Sequence, residues 1–146
     1  MDLAAFHQQF REEAAENVRV LQDGLLALET EADTGVRRAA VDRVFRAMHT
    51  IKGSARVLGF EPISRLAHAL EGLLGEVRQE QRPFDRPLAD ALLRGGDALL
   101  ALSDAAVAGQ APPIDVEALI ASLPASAATV APATATTPAV APANPS

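Results

Sequence analysis

Two histidines, one lysine and one glutamate set the chemical question. His49 and Lys52 lie in "MHTIKGSARVLGF" (48–60), and His68 and Glu71 lie in "LAHALEGLLGEVR" (66–78). Lys52 is the only lysine of the chain, and Gly53 follows it directly. A glycine inside a helix costs about 1 kcal/mol against alanine, so Gly53 calls for a reason. An exposed neutral imidazole is a nucleophile near neutral pH. A carboxylate that accepts a hydrogen bond from one ring nitrogen fixes the tautomer and makes the other nitrogen more basic. Glu71 suits that role for His49. Cations beside the ring attract an incoming phosphoryl group and hold the negative charge of the product. Gly53 would then leave room for a partner's active site to approach.

Helices must position these groups. At about 100° per residue, His49 falls roughly 130° from the apolar centre of its helix, on a flank that reaches solvent. Asp42, Arg46, Lys52, Gly53 and Arg56 share its neighbourhood. On the next helix His68, Glu71 and Gly75 share a flank roughly 120° from the apolar centre. If the two helices are antiparallel neighbours, the flanks meet as one polar patch. Each residue also has a plainer reading. His49 could be a surface histidine, His68 a satisfied boundary histidine and Glu71 a solvated helix acid. Arg46 and Arg56 read as general surface charges, and His7, between Phe6 and Phe10, as structural.

The apolar spacing gives four long helices. Leu3, Phe6, Phe10, Ala14, Val18, Leu21, Leu25 and Leu28 form a first stripe at steps of three and four, with Asp2 as cap. "ETEADTG" interrupts it. Val41, Val44, Phe45, Met48, Ile51, Ala55 and Leu58 form the second, closed by Gly59. The third opens at "EPIS", where Pro62 is tolerated in the first turn, and runs through Ile63, Leu66, Leu70, Leu73 and Val77. The fourth uses Leu88, Leu92, Leu99, Leu102 and Ala106, and Gly95 and Gly96 inside it predict a kink or fraying. A short last helix spans 114–122, with Asp115 as cap. Short connections make neighbours antiparallel. The expected fold class is all-α: an antiparallel four-helix bundle with an additional short C-terminal helix, followed by a disordered tail.

"FRAMHTIKGSARVLGF" resembles the signature of histidine phosphotransfer (HPt) domains, most of all the N-terminal one of chemotaxis-type histidine kinases, the CheA family. The order of "LLALE", the histidine helix and "LAHALEGLLGEVR" agrees, and the similarity covers residues 1 to about 123. The resemblance implies that His49 is the phosphoacceptor, that Glu71 hydrogen-bonds its ring, and that Lys52 and His68 assist transfer. Family members commonly carry Gly-Gly after the lysine; Ser54 takes the second place here, and serine is also small. The resemblance further implies that the module binds no ATP or other cofactor itself. A separate kinase ATP-binding domain loads the histidine, which passes the phosphoryl group to an aspartate of a response regulator receiver domain. No Gly-rich nucleotide loop occurs in the sequence, in agreement.

Composition excludes other classes. The net charge of −6 argues against a nucleic-acid binder, and the absence of cysteine excludes disulfides and thiolate metal sites. No run approaches the roughly 18 apolar residues of a membrane span, so no membrane insertion and a cytoplasmic location are expected. The domain is read as 1–123 and an Ala/Pro/Thr-rich flexible linker as 124–146, which holds five of the ten prolines and no charge. A linker there points to a first module of a longer protein. Two alternatives remain: a helical interaction module without phosphotransfer, and a metal-binding bundle using His68, Glu71 and His49. The second would need further inward-facing glutamates, which the apolar stripes do not offer.

Overall fold

The computed structural model describes residues 2–125. Its order is α1 (Leu3–Thr30), α2 (Thr34–Leu58), α3 (Glu61–Arg78), α4 (Arg86–Val107) and α5 (Val116–Ser122). The described residues contain no strand. Aspartates start four of the helices. Asp2, Asp33, Asp85 and Asp115 each accept a hydrogen bond from the backbone N–H three residues on, at 2.9–3.3 Å. These bonds satisfy orphan donors of the first turns. Gly59, at φ 77°, ends α2 in a left-handed conformation that costs glycine little. Phe60 N–H then reaches back to the Ala55 carbonyl at 2.8 Å, so α3 starts at once.

The connections 31–33 and 59–60 are so short that α1, α2 and α3 must run antiparallel. α1 packs on α2, α2 on α3, α3 on α4, and α4 closes back on α1; α5 lies on α3. Leu21, Leu25, Met48, Ile51, Leu66, Leu70, Leu74, Leu92 and Leu99 fill the centre and are almost wholly buried. Each such side chain contributes about 1.5–3 kcal/mol by leaving water.

Three expectations need correction. Leu3 and Phe6 belong to the first apolar stripe by spacing, yet they are exposed at 58% and 44%. The core begins only at Phe10, because the first two turns of α1 lie at the rim of the bundle. Secondly, α4 runs unbroken through Gly95 and Gly96. Both are buried, and a Cβ on them would stand 2.6 Å from Leu70 and 2.8 Å from Leu21. Their lack of a side chain lets α4 approach α3 and α1. Thirdly, α2 begins at Thr34, inside the "ETEADTG" interruption and about two turns before the first apolar residue of its stripe, under the Asp33 cap. The unstructured tail expected over 124–146 falls outside the described residues from residue 126 on.

Candidate functional site

The site is built across α2 and α3. On α2 the buried Met48 and Ile51 fix the helix against the core, which turns His49 outward. Its side chain is 63% exposed. On α3 the buried Leu70 and Leu74 do the same for the helix that carries Glu71. The two facing helices bring His49 Nδ1 to 2.6 Å from Glu71 Oε2 and Lys52 Nζ to 2.7 Å from Glu71 Oε1. One carboxylate thus serves two partners, one through each oxygen.

The protonation pattern follows from these distances. Burial of Glu71 raises its carboxyl pKa, but the hydrogen bonds from Lys52 and His49, with their charges, outweigh it and hold the value below the ordinary 4.5. The carboxylate is therefore ionised near neutral pH and can only accept. A neutral His49 must then carry its proton on Nδ1 and donate it to Glu71, which leaves the Nε2 lone pair free on an exposed ring. Lys52 compensates the buried charge of Glu71; its own side chain is only 15% exposed.

Glu71 itself is the main difference from expectation. A helix wheel puts it on a solvent-reaching flank, whereas its side chain is 9% exposed. The wheel describes α3 alone, and the stem of Lys52 from α2 covers that flank. Gly75, on the same flank of α3 by the wheel, turns to packing instead: a Cβ there would stand 3.3 Å from the Phe45 ring. Gly53 is the opposite case, with nothing within 4 Å of such a Cβ. The space beside His49 is open.

His68 is exposed and forms no hydrogen bond or ion pair among the described residues. It lines a hollow of about 150 Å³ with Arg56, Gly59, Glu61, Ser64 and Arg65. His7 packs edge-on against Phe60 at 5.0 Å between ring centres, a structural contact. Sequence reasoning missed a second buried glutamate, Glu76, whose Oε1 lies 3.5 Å from Arg82 Nε. Arg82 also donates to the Ala125 carbonyl at 2.7 Å. Glu76 falls between the apolar Val77 and the packed Gly75, and no feature of the sequence marks it as buried. No group of three or more His, Asp or Glu among the described residues is placed to hold a metal ion, so the metal alternative finds no ligand set there. Among the described residues, no helix is long and apolar enough to cross a membrane.

Comparisons with known proteins point one way. A family profile described as the Hpt domain matches residues 5–109. "Chemotaxis protein CheA" of Treponema pallidum is 34% identical over 116 residues, covering 80% of this chain and 14% of that protein. The protein of the same name from Halobacterium salinarum is 39% identical over 97 residues, 66% of this chain and 14% of its own length. A solved structure, the phosphorylated P1 domain of CheA3 in complex with CheY6 from R. sphaeroides, superposes with a TM-score of 0.71 at 31% identity. The match covers 81% of this chain and 91% of that one. The chain thus spans only about a seventh of the length of the curated relatives it matches.

Proposed function

The chain belongs to the Hpt domain family, and from that premise we propose that it is the phosphoryl-carrier module of a chemotaxis-type phosphorelay, with His49 as the carrier. One observation carries the reading: an exposed imidazole whose Nδ1 is held at 2.6 Å by a buried, ionised Glu71. That contact leaves Nε2 as the nucleophile. In the loading step Nε2 attacks the γ-phosphorus of ATP held by a separate kinase domain. An N–P bond forms, the bond to the bridging oxygen breaks, and ADP leaves with the electron pair. The Nδ1 proton stays in its hydrogen bond to Glu71, which offsets the positive charge the ring gains as Nε2 bonds to phosphorus. In the delivery step a carboxylate oxygen of a receiver aspartate attacks the phosphorus. The N–P bond then breaks, and the ring returns to its neutral state.

The other residues have graded parts. Lys52 keeps Glu71 ionised and in place. Gly53 leaves the approach to Nε2 open. His68, one turn before Glu71 on α3, assists at the edge of the approach rather than in the hydrogen-bonded set. The module needs no cofactor of its own in this scheme, because ATP belongs to the kinase domain. The partners are that domain and a receiver domain. The related P1 domain of CheA3 is phosphorylated and in complex with CheY6, which supports a phosphorylated state and a receiver partner.

The test is direct. Incubation with a chemotaxis-type kinase domain and labelled ATP, or with phosphoramidate alone, should label the wild type and leave His49→Gln unlabelled. The substituted chain should melt within about 0.5 kcal/mol of the wild type, since the position is exposed. Label retained by His49→Gln would place the acceptor elsewhere and end this reading.

A further inference from the structure

The charge around His49 cannot come from Lys52 alone. Its ammonium is spent on Glu71, so His49, Lys52 and Glu71 together are close to neutral. Yet both steps of the reading above bring anions to the ring. Delivery in particular sets a phosphohistidine against a carboxylate, two negative groups at contact. The chain as a whole carries −6 and opposes their approach.

Two arginines stand where that repulsion could be met. Arg46 and Arg56 lie three residues before and seven after His49, so a helix places them on the same face of α2. Both are exposed, and neither forms an ion pair or hydrogen bond among the described residues. Five arginines are held in ion pairs, Arg11 with Asp104, Arg38 with Glu80, Arg65 with Glu117, Arg78 with Asp42 and Arg82 with Glu76. Arg19, Arg43, Arg86 and Arg94 are unpaired among the described residues as well, but of the unpaired arginines it is Arg46 and Arg56 that share the His49 face of α2. Arg56 shares its hollow with the exposed His68, which adds charge when protonated. Glu61 is the carboxylate in the same hollow, and it limits that end to a weak net positive charge. Such a surface does not hold a free anion tightly; it biases the approach of a large one.

We propose that Arg46 and Arg56, with His68 beside Arg56, form a cationic collar that draws the acidic acceptor face of a receiver domain onto phosphorylated His49. The collar rests on the phosphotransfer reading and adds to it a residue-level account of partner attraction. It acts on encounter, not on the bond-making step. Long-range attraction of this kind raises association rates by about 10–10³-fold and fades as salt screens it.

The experiment uses the full chain with CheY6 as the receiver. Wild type, Arg46→Ala/Arg56→Ala and Arg46→Glu/Arg56→Glu are loaded with phosphoramidate, and transfer is followed over a range of receiver concentration and salt. Charge reversal should lower the second-order rate about tenfold or more at low salt, with the alanine variant between. The curves should meet near 0.5 M salt, and the rate at saturating receiver should be unchanged. Equal salt dependence in all three proteins overturns the collar. So does a loss that persists at high salt, or transfer as slow in the wild type as in the reversed variant. Loading separates the two readings: if all three proteins take label, the carrier reading stands whatever the collar does. A wild type that takes no label from phosphoramidate overturns both.

Discussion

Helix α3 buries two glutamates five residues apart, and they do different work. Glu71 and Glu76 are 7% and 8% exposed, and each is met by a cation. Glu71 takes Lys52 from the neighbouring helix and, with its other oxygen, an imidazole that stays in water. Glu76 takes Arg82, which follows it by six residues in the loop after its own helix. Arg82 goes on to the Ala125 carbonyl and so ties the chain after α5 to the α3–α4 connection. Around Glu76 the neighbours pack: Gly75 lies under Phe45, and Arg78 lies over the same ring at 4.7 Å. Around Glu71 one side is left open at Gly53. A buried carboxylate is costly in either place. In the second it is repaid by fixing the chain; in the first, on the proposed reading, it prepares a reactive nitrogen. What sets the two glutamates apart is the exposed imidazole on the second oxygen of Glu71.

The largest effect that would test this contrast is on transfer. Glu71→Ala should slow phosphorylation of His49 about 100-fold, the lower end of what a positioned acid–base contact supplies. Glu71→Gln should fall between, because its carbonyl still accepts from Nδ1 but carries no charge. Glu76→Ala should leave the rate within about twofold. Rates of label uptake in the three variants decide it, and equal losses at both positions would erase the distinction.

Stability should reverse the order. Glu76→Ala removes the counter-charge of Arg82, whose side chain is only 18% exposed and is left with its bond to the Ala125 carbonyl, and should cost about 1–3 kcal/mol in urea unfolding. Glu71→Ala should cost less. The long stem of Lys52 lets its ammonium turn to water, and the removed carboxylate no longer has to be desolvated.

The pH dependence of stability isolates Glu71 further. Its folded pKa lies below the ordinary 4.5, so between those two values the unfolded chain binds more protons than the folded one. The stabilisation is therefore complete above about pH 4.5 and is lost as pH falls through the folded value. Glu71→Gln should remove that part of the acid limb. Melting of both proteins between pH 3 and 6 measures it, and superimposable curves would show that Lys52 and His49 do not hold the carboxylate in solution.

The sequence made much of this legible, though not evenly. Four long helices and a short fifth follow from apolar spacing, and Asp2, Asp115 and Gly59 mark ends by their own chemistry. His49, Lys52 and Glu71 were legible as a set because their types and intervals are unusual together. Their environment was not. A wheel treats each helix as if alone, so it exposes Glu71 and places Gly75 on the polar flank. Only the packing of α2 on α3 buries the one and gives the other to Phe45. Gly95 and Gly96 read as breakers for the same reason, since the side chains that need their space come from Leu70 and Leu21. Leu3 and Phe6 erred in the other direction: periodicity reports the stripe, not where the neighbouring helices end.

The smallest predicted effect sets Gly53 against Gly75. Both lie inside helices, and alanine is the better helix former by about 1 kcal/mol at either place. At Gly75 the new methyl would stand 3.3 Å from Phe45, and the ring must give by a few tenths of an ångström. The gain in propensity is then offset by strain, and Gly75→Ala should be nearly neutral in stability and in transfer. At Gly53 nothing lies within 4 Å, so Gly53→Ala should stabilise the isolated domain by close to the full propensity difference. A methyl that costs the domain nothing can still obstruct a partner. It sits one turn beyond His49, on the side by which, in the proposed reading, a kinase or receiver reaches Nε2. Gly53→Ala should therefore melt higher and yet exchange phosphate a few-fold more slowly with protein partners. Its labelling by phosphoramidate, which is small, should be unchanged. If partner transfer is also unchanged, the opening at Gly53 is not an approach path, and the reason for a glycine there lies outside the site.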